Sequence, residues 1–156
     1  MPDPIRPTDD EARALARGIL RDARFAALAV LLDDGAPQVS RIALGRDSAG
    51  MPLGFLSDLS QHSRALLADP RASLLVGEPG AKGDPLTHPR LTLNVRAVPA
   101  AAPRENLIGL WLMQFPKAAA YAGLPDFRFV RFEVASAFLN GGFGRAFRLT
   151  PEDLGL

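Results

Sequence analysis

Side chains able to do chemistry are concentrated in a few stretches of this sequence. Ser40, Arg41 and Arg46 fall on VSRIALGR, and Ser57-Asp58-Leu59-Ser60-Gln61-His62-Ser63-Arg64 leaves an extended run and opens a helical pattern. A helix start presents unpaired amides and a partial positive charge, and hydroxyls with a guanidinium beside it form a cradle for phosphate. The same serines and Asp58 could equally be an ordinary N-cap with no ligand. Arg41 and Arg46 are five apart, so a regular strand turns them to opposite faces; both reach one ligand only if the strand bulges or ends near Gly45. Otherwise they are exposed charges beside a turn.

His62 and His88 are the only histidines, and neither has a ligand-spaced partner, so a histidine-based metal centre is not expected. A haem iron needs only one axial imidazole, which leaves either residue available for that role or for an ordinary polar surface. The serines lack a G-x-S-x-G elbow, and no hydrolase triad is visible. Gly141-Gly142-Phe143-Gly144-Arg145 has neither the ending of a P-loop nor the spacing of a dinucleotide fingerprint, and reads as a glycine-permitted turn. Lys82-Gly83-Asp84-Pro85 reads as a flexible flap.

The elements that must position these groups are bounded by composition. The chain has 156 residues, 47% of them hydrophobic, which suits one domain with a true core over 1–156, of which residues 1–7 are a flexible lead-in. Eighteen basic against seventeen acidic residues leave a charge of +1, so bulk electrostatics point to neither a nucleic-acid partner nor an acidic membrane surface. The absence of cysteine excludes disulfides, thiolate nucleophiles and thiolate metal sites, and agrees with a cytoplasmic location. The N-terminal MPDPIRPTDDEARALARG has no apolar core of signal-peptide length, and no later apolar run approaches a membrane span.

Thr8-Asp9-Asp10-Glu11 has the spacing of a capping box, so a helix is expected from there to about Asp22, with Arg13, Arg17 and Arg21 as a solvated stripe. FAALAVLL, the turn Asp33-Asp34-Gly35 and PQVSRIALGR read as a hairpin, and Asp47-Ser48-Ala49-Gly50 leads into a third strand, MPLGFLSD. A short helix closes at Pro70, and RASLLVGE and RLTLNVRAV continue the β pattern. RENLIGLWLMQFPKAAAYAG is a second helical stretch broken at Pro116. FRFVRFEVASAFLNGG and GGFGRAFRL supply the last strands. Six or seven strands in mostly sequential order, with peripheral helices, indicate a mainly β fold closed as a small antiparallel barrel.

The run of elements, together with VSRIALGR, LSDLSQHSRALLADPRASLL, KGDPLTHPRLTL and FRFVRFEV with GGFGRAF, resembles the FMN-binding split-barrel superfamily, the pyridoxamine 5′-phosphate oxidase-like proteins. The resemblance covers about residues 12–149 and is nearer to the branch related to haem-utilisation proteins. It implies a six-stranded antiparallel split barrel of FMN-binding type and a homodimer with FMN in grooves at the subunit interface. Under it, Arg41 matches the family's strand arginine, Arg46 the basic residue closing that motif and Ser57 the hydroxyl position after the third strand. Ser63 and Arg64 fall on the phosphate-binding turn, His62 contacts or flanks the phosphate, and Arg90 lies near the glutamine that oxidase members carry close to the flavin ring. The implied activity is that of an FMN-dependent oxidoreductase acting on a small-molecule substrate or electron donor, with no catalytic side chain identified. The C-terminal Trp and paired basic residues of the true oxidases are not found, so pyridoxamine phosphate oxidation is not implied. Haem binding without flavin turnover is the alternative.

Overall fold

The computed structural model describes residues 3–156. It contains β1 (Ile5–Arg6), α1 (Asp10–Asp22), β2 (Phe25–Leu31), β3 (Pro37–Ala43), β4 (Gly45–Arg46), β5 (Pro52–Ser57) and α2 (Gln61–Ala68). These are followed by β6 (Arg71–Val76), β7 (Arg90–Pro99), α3 (Arg104–Gln114), β8 (Phe127–Asn140) and β9 (Ala146–Leu149). Short 3-10 turns lie at Pro85–Thr87, Pro116–Ala120 and Glu152–Leu154.

The protein is mainly β with three helices, and its strands form one sheet in the order β1-β9-β8-β7-β6-β2-β3, with β5 also on β8 and β4 on β5. Six strands closed into a barrel are expected from the family resemblance; the observed sheet has nine among the described residues, and no ladder joins β3 to β5. The extra strands have local causes. Leu44 is buried and its N–H donates to Arg24 O in the β2–β3 register, after which Gly45 and Arg46 pair with Leu53 and Pro52, so one extended stretch is divided between β3 on β2 and β4 on β5. At the other end, where a flexible lead-in is expected, Ile5 and Arg6 pair in parallel with Ala146 and Phe147.

Strand β8 organises the sheet. Its 14 residues pair with β7 along one edge and with β5 and then β9 along the other. A register shift opposite Asn94 and Val95 lets it bend between these partners. Strand β5 is buried from Pro52 to Leu56. Its Leu56 faces the main core with Leu28, Leu74, Leu93 and Phe132, while Leu53 and Phe55 face a second cluster under α3 with Trp111 and Phe129. A strand covered on both faces needs the unbroken apolar run that this segment shows. In the second cluster Phe55 and Phe129 stack at 4.1 Å, with Trp111 edge-on to both at 5.9 and 6.0 Å.

Helix α1 lays Ala12, Ala16 and Leu20 on the main core. Its N-cap differs from the expected capping box. Asp9 accepts the Ala12 amide at 2.8 Å, while Thr8 donates its hydroxyl to Arg148 O and Glu11 pairs with Arg145. A carboxylate at the cap favours the positive helix end more than a hydroxyl does, which explains the one-residue shift. The arginine stripe is likewise employed: Arg13 pairs with Asp153 at 2.7 Å, and Arg17 donates to Asp153 O and Glu152 O. They clasp the turn that carries buried Leu154. No helix is long and apolar enough to cross a membrane among the described residues.

Candidate functional site

The β5–α2 connection is a tight knot of hydroxyls. Ser57 Oγ accepts the Leu59 amide at 3.2 Å and donates to Asp126 Oδ2 at 2.8 Å. Ser60 Oγ donates to Ser57 O at 2.6 Å and meets Ser63 Oγ at 2.8 Å, and Ser63 is the one buried polar residue among the described residues. Ser60 holds the N-cap position of α2, yet its side chain makes no capping bond and the first helical turn carries no acidic residue. The amides at this helix start therefore keep their partial positive charge without a side-chain acceptor.

Two side-chain pairs fasten the first turn of α2 to β3. Gln38 Nε2 donates to Gln61 Oε1 at 2.7 Å, and Ser40 Oγ lies 3.2 Å from His62 Nδ1. Residues two apart on a strand share a face, so Gln38 and Ser40 point together toward the helix while Arg41 points away. His62 is half-buried, and burial pushes its imidazole below the ordinary histidine pKa, toward the neutral form at pH 7. Its Nε2 has no hydrogen-bond partner among the described residues, which leaves a neutral ring with one nitrogen tied and the other open.

Arg41 is exposed on the outer face of β3, its guanidinium 5.4 Å from the centre of the Phe25 ring. Arg64 is exposed on α2 and borders a hollow of about 390 Å³ with Gln61, Asp33 and Asp34. Neither arginine makes a side-chain hydrogen bond or ion pair among the described residues. Arg46 lies elsewhere: its backbone N–H and C=O are both held by the Gln114 side chain at 2.9 Å, which places it at the end of α3. Arg90 donates to Leu86 O at 3.0 Å and His88 O at 3.3 Å. His88 Nδ1 accepts the Gly80 amide at 3.0 Å, which fixes the proton on Nε2, and Nε2 donates to Lys82 O at 2.7 Å. The loop that contains Lys82 and Asp84 is thus pinned from within, where a flap is expected.

The structure gathers Ser57, Ser60, Ser63, His62 and Arg64 about one helix start, and separates Arg46 and Arg90 from it. Asp126 and the Gln38–Gln61 pair complete the neighbourhood and were not legible in the sequence. Asp126 lies 69 residues from Ser57, in a turn whose local signal, Gly123 and Pro125 beside the aspartate, says nothing of its partner.

The site residues lie on elements shared with known proteins. No protein-family model matches the sequence. A curated relative, the "Non-canonical heme oxygenase HOZ, chloroplastic" of Arabidopsis thaliana, is 32% identical over 121 residues, which cover 70% of this chain and 36% of the relative. The chain therefore spans about a third of the length of that protein. One solved structure is 53% identical, with a TM-score of 0.86 over 96% of this chain and 99% of its own. The heme binding protein from Mycobacterium smegmatis is 30% identical, with a TM-score of 0.82 over 97% of this chain and 61% of its own. At the level of fold alone, the heme storage protein HutZ from Vibrio cholerae, 19% identical, gives a TM-score of 0.72 over 83% of this chain and 94% of its own. So does a pyridoxinephosphate oxidase family protein from Clostridium acetobutylicum, 11% identical, at 0.69 over 94% of this chain and 99% of its own. With β2 to β8 and the VSRIALGR and SDLSQHSRALLADP segments placed as described, the chain has the mainly β fold of the haem-storage and pyridoxinephosphate oxidase family structures, and in sequence it is related to the haem oxygenase of Arabidopsis thaliana and the heme binding protein of Mycobacterium smegmatis.

Proposed function

We propose that this protein binds haem, with His62 supplying the axial nitrogen. The observation that carries the reading is the state of that imidazole: half-buried, held on the neutral side by its surroundings, bonded at Nδ1 and open at Nε2. A metal ligand histidine needs this division of labour between its two nitrogens. His88, whose nitrogens are both committed inside its loop, lacks it. Two relatives of at least 30% identity, the haem oxygenase of Arabidopsis thaliana and the heme binding protein of Mycobacterium smegmatis, are haem proteins by name, which supports the same reading. Haem, when bound, supplies a redox-active iron. The chain's own part is to offer Nε2 of His62, to hold the ring through Ser40, and to keep water from part of the imidazole.

A second reading is favoured by one observation of its own. The uncapped first turn of α2, with unpaired Arg64 on it, presents positive charge suited to the phosphate of FMN, while Arg41, turned to the outer face of β3, could reach the same ligand only after rearrangement. Ser63, His62 and, after local movement, Arg46 and Arg90 would complete a cofactor site for a flavin-dependent oxidoreductase. Two features oppose it. Asp33 and Asp34 border the same hollow as Arg64, and the Ser57 hydroxyl is already given to Asp126.

Under either reading the 1–156 domain works as a cytoplasmic homodimer. In register, Phe25 sits opposite Ala43, Ala27 lies between Arg41 and Leu75, and Ala29 lies between Val39 and Ser73, so these side chains share the outer face of the sheet. Phe25, Val39 and Leu75 are exposed there at 39%, 65% and 45%, with Arg41 in their midst. A second copy of the chain laid on this face would bury them beside the arginine.

The test is titration of the purified protein with hemin and, separately, with FMN, each followed by gel filtration. A Soret band at one haem per chain that is lost in His62→Ala and kept in His88→Ala is the expected result. Equal haem binding by wild type and His62→Ala overturns the assignment of His62. Retention of FMN near one per chain, with no haem retained, transfers the protein to the second reading.

A further inference from the structure

We infer that Ser40 is a positioning residue which selects the tautomer of His62, holding the proton on Nδ1 and so presenting the lone pair of Nε2 outward. The inference rests on the haem-binding reading for its purpose, but its structural content stands in the ligand-free protein.

The contact joins two elements, since Ser40 is on β3 and His62 in the first turn of α2, with Oγ and Nδ1 3.2 Å apart. A neutral imidazole carries one proton, and the two tautomers leave different groups unmatched. With the proton on Nε2, that N–H points at no acceptor among the described residues. With the proton on Nδ1, the ring's only donor is matched by Ser40 Oγ and the remaining open group is a lone pair. Unmatched donors are rarer in partly buried sites than unmatched acceptors, and a serine hydroxyl proton can rotate to another acceptor where an imidazole N–H cannot. The geometry of the strand maintains the choice. Ser40 pairs with Leu28 in the β2–β3 ladder, and Gln38, two residues earlier on the same face, grips Gln61 beside His62 at 2.7 Å. The ring is therefore held by its own bond and by a neighbouring tie that keeps the helix turn against the strand.

His88 provides an internal contrast. There a backbone amide donates to Nδ1, which forces the proton onto Nε2 and directs it to a carbonyl. The two histidines of one chain are thus held in opposite tautomers by opposite partners, a difference that one spectrum can read.

The experiment is a long-range proton–nitrogen correlation spectrum of the ligand-free, nitrogen-15-labelled protein above pH 7. His62 is expected in the Nδ1–H form and His88 in the Nε2–H form, with Ser40→Thr preserving the His62 pattern and Ser40→Ala moving it to Nε2–H or to a mixture. Finding wild-type His62 in the Nε2–H form, or an unchanged pattern in folded Ser40→Ala, overturns the role of Ser40. The wild-type spectrum alone decides the tautomer if Ser40→Ala does not fold. Hemin affinity is measured on the same samples, and Ser40→Ala should weaken it about tenfold, as loss of a bond behind a ligating histidine does. A correct tautomer without hemin binding removes the haem reading and leaves the Ser40 assignment standing; the wrong tautomer with hemin bound does the reverse.

Discussion

A serine hydroxyl has one proton to give, and at Ser57 it goes to Asp126. A phosphate approaching the start of α2 must displace that bond and approach Asp33 and Asp34, so its attraction there depends on Arg64. If FMN occupies the site, Arg64→Ala should weaken it by about 1.5 to 3 kcal/mol, the range for a hydrogen bond to a charged group, in calorimetric titration. Unchanged affinity in the folded variant would exclude Arg64 from the cradle. Asp126→Asn should have the opposite effect in the same titration, strengthening FMN binding severalfold by removing a negative charge, and an equal or weaker affinity would count against a phosphate near Ser57. The serines, His62 and Arg64 could be read as one locus because they lie within eight residues at a strand-to-helix transition. The partners that decide what these groups are free to do, Ser40, Gln38 and Asp126, come from other strands and turns. Spacing along the chain carries no information about which donor is already taken.

The elements themselves were more legible, because period-two alternation and proline breaks are local signals. Strands β2, β3, β5 to β9 and the three helices fall where apolar patterns place them, and α3 stops at Gln114 before Pro116. What local pattern could not give is the division at Leu44 and Gly45. A Cβ at Gly45 would lie 2.7 Å from Trp111 Cζ3, so this strand can approach α3 only as glycine. Gly45→Ala should destabilise the fold by about 1 to 3 kcal/mol in urea unfolding, the range for an overpacked core, with a change in Trp111 fluorescence; a wild-type midpoint would remove the close approach. The C-terminal turn offers a pH test. Asp153 accepts the Thr150 amide and pairs with Arg13, and both hold its carboxyl below the ordinary carboxylate value. A lowered native pKa stabilises the fold above the unfolded value near 4 and loses that contribution as pH falls through the native one. Hydrogen exchange at residues 150–156 should therefore be slow at pH 6 and lose protection at pH 3 before the core strands do. Asp153→Asn should lower Tm by about 2 to 4 °C at neutral pH, for a loss on the order of 1 kcal/mol, and should remove most of the acid effect. Undiminished acid sensitivity in that variant would place the effect at another carboxylate.

For the molecule as a whole, the exposed apolar side chains of β2, β3 and β6 predict its assembly. Light scattering at micromolar concentration should give about twice 16.7 kDa. Val39→Asp with Leu75→Asp should return it to the monomer while leaving circular dichroism unchanged. A dimer that survives both substitutions would locate the contact on another face. The pairing of the first and last strands has a further consequence, for how the protein is made. Ile5 and Arg6 lie on Ala146 and Phe147, α1 is clasped to Asp153, and β5 finds its partner in β8 some seventy residues later. Contacts between such distant parts of a chain form slowly, because each must first close a long loop against chain entropy. During synthesis α1 and the β2–β3 hairpin emerge long before the residues that cover them, and their apolar faces stay open until β8 and β9 have left the ribosome. A stalled chain ending before residue 127 should therefore be protease-sensitive and bound by chaperones, and one extending past residue 154, with a tether long enough to clear the exit tunnel, should become resistant in a single step.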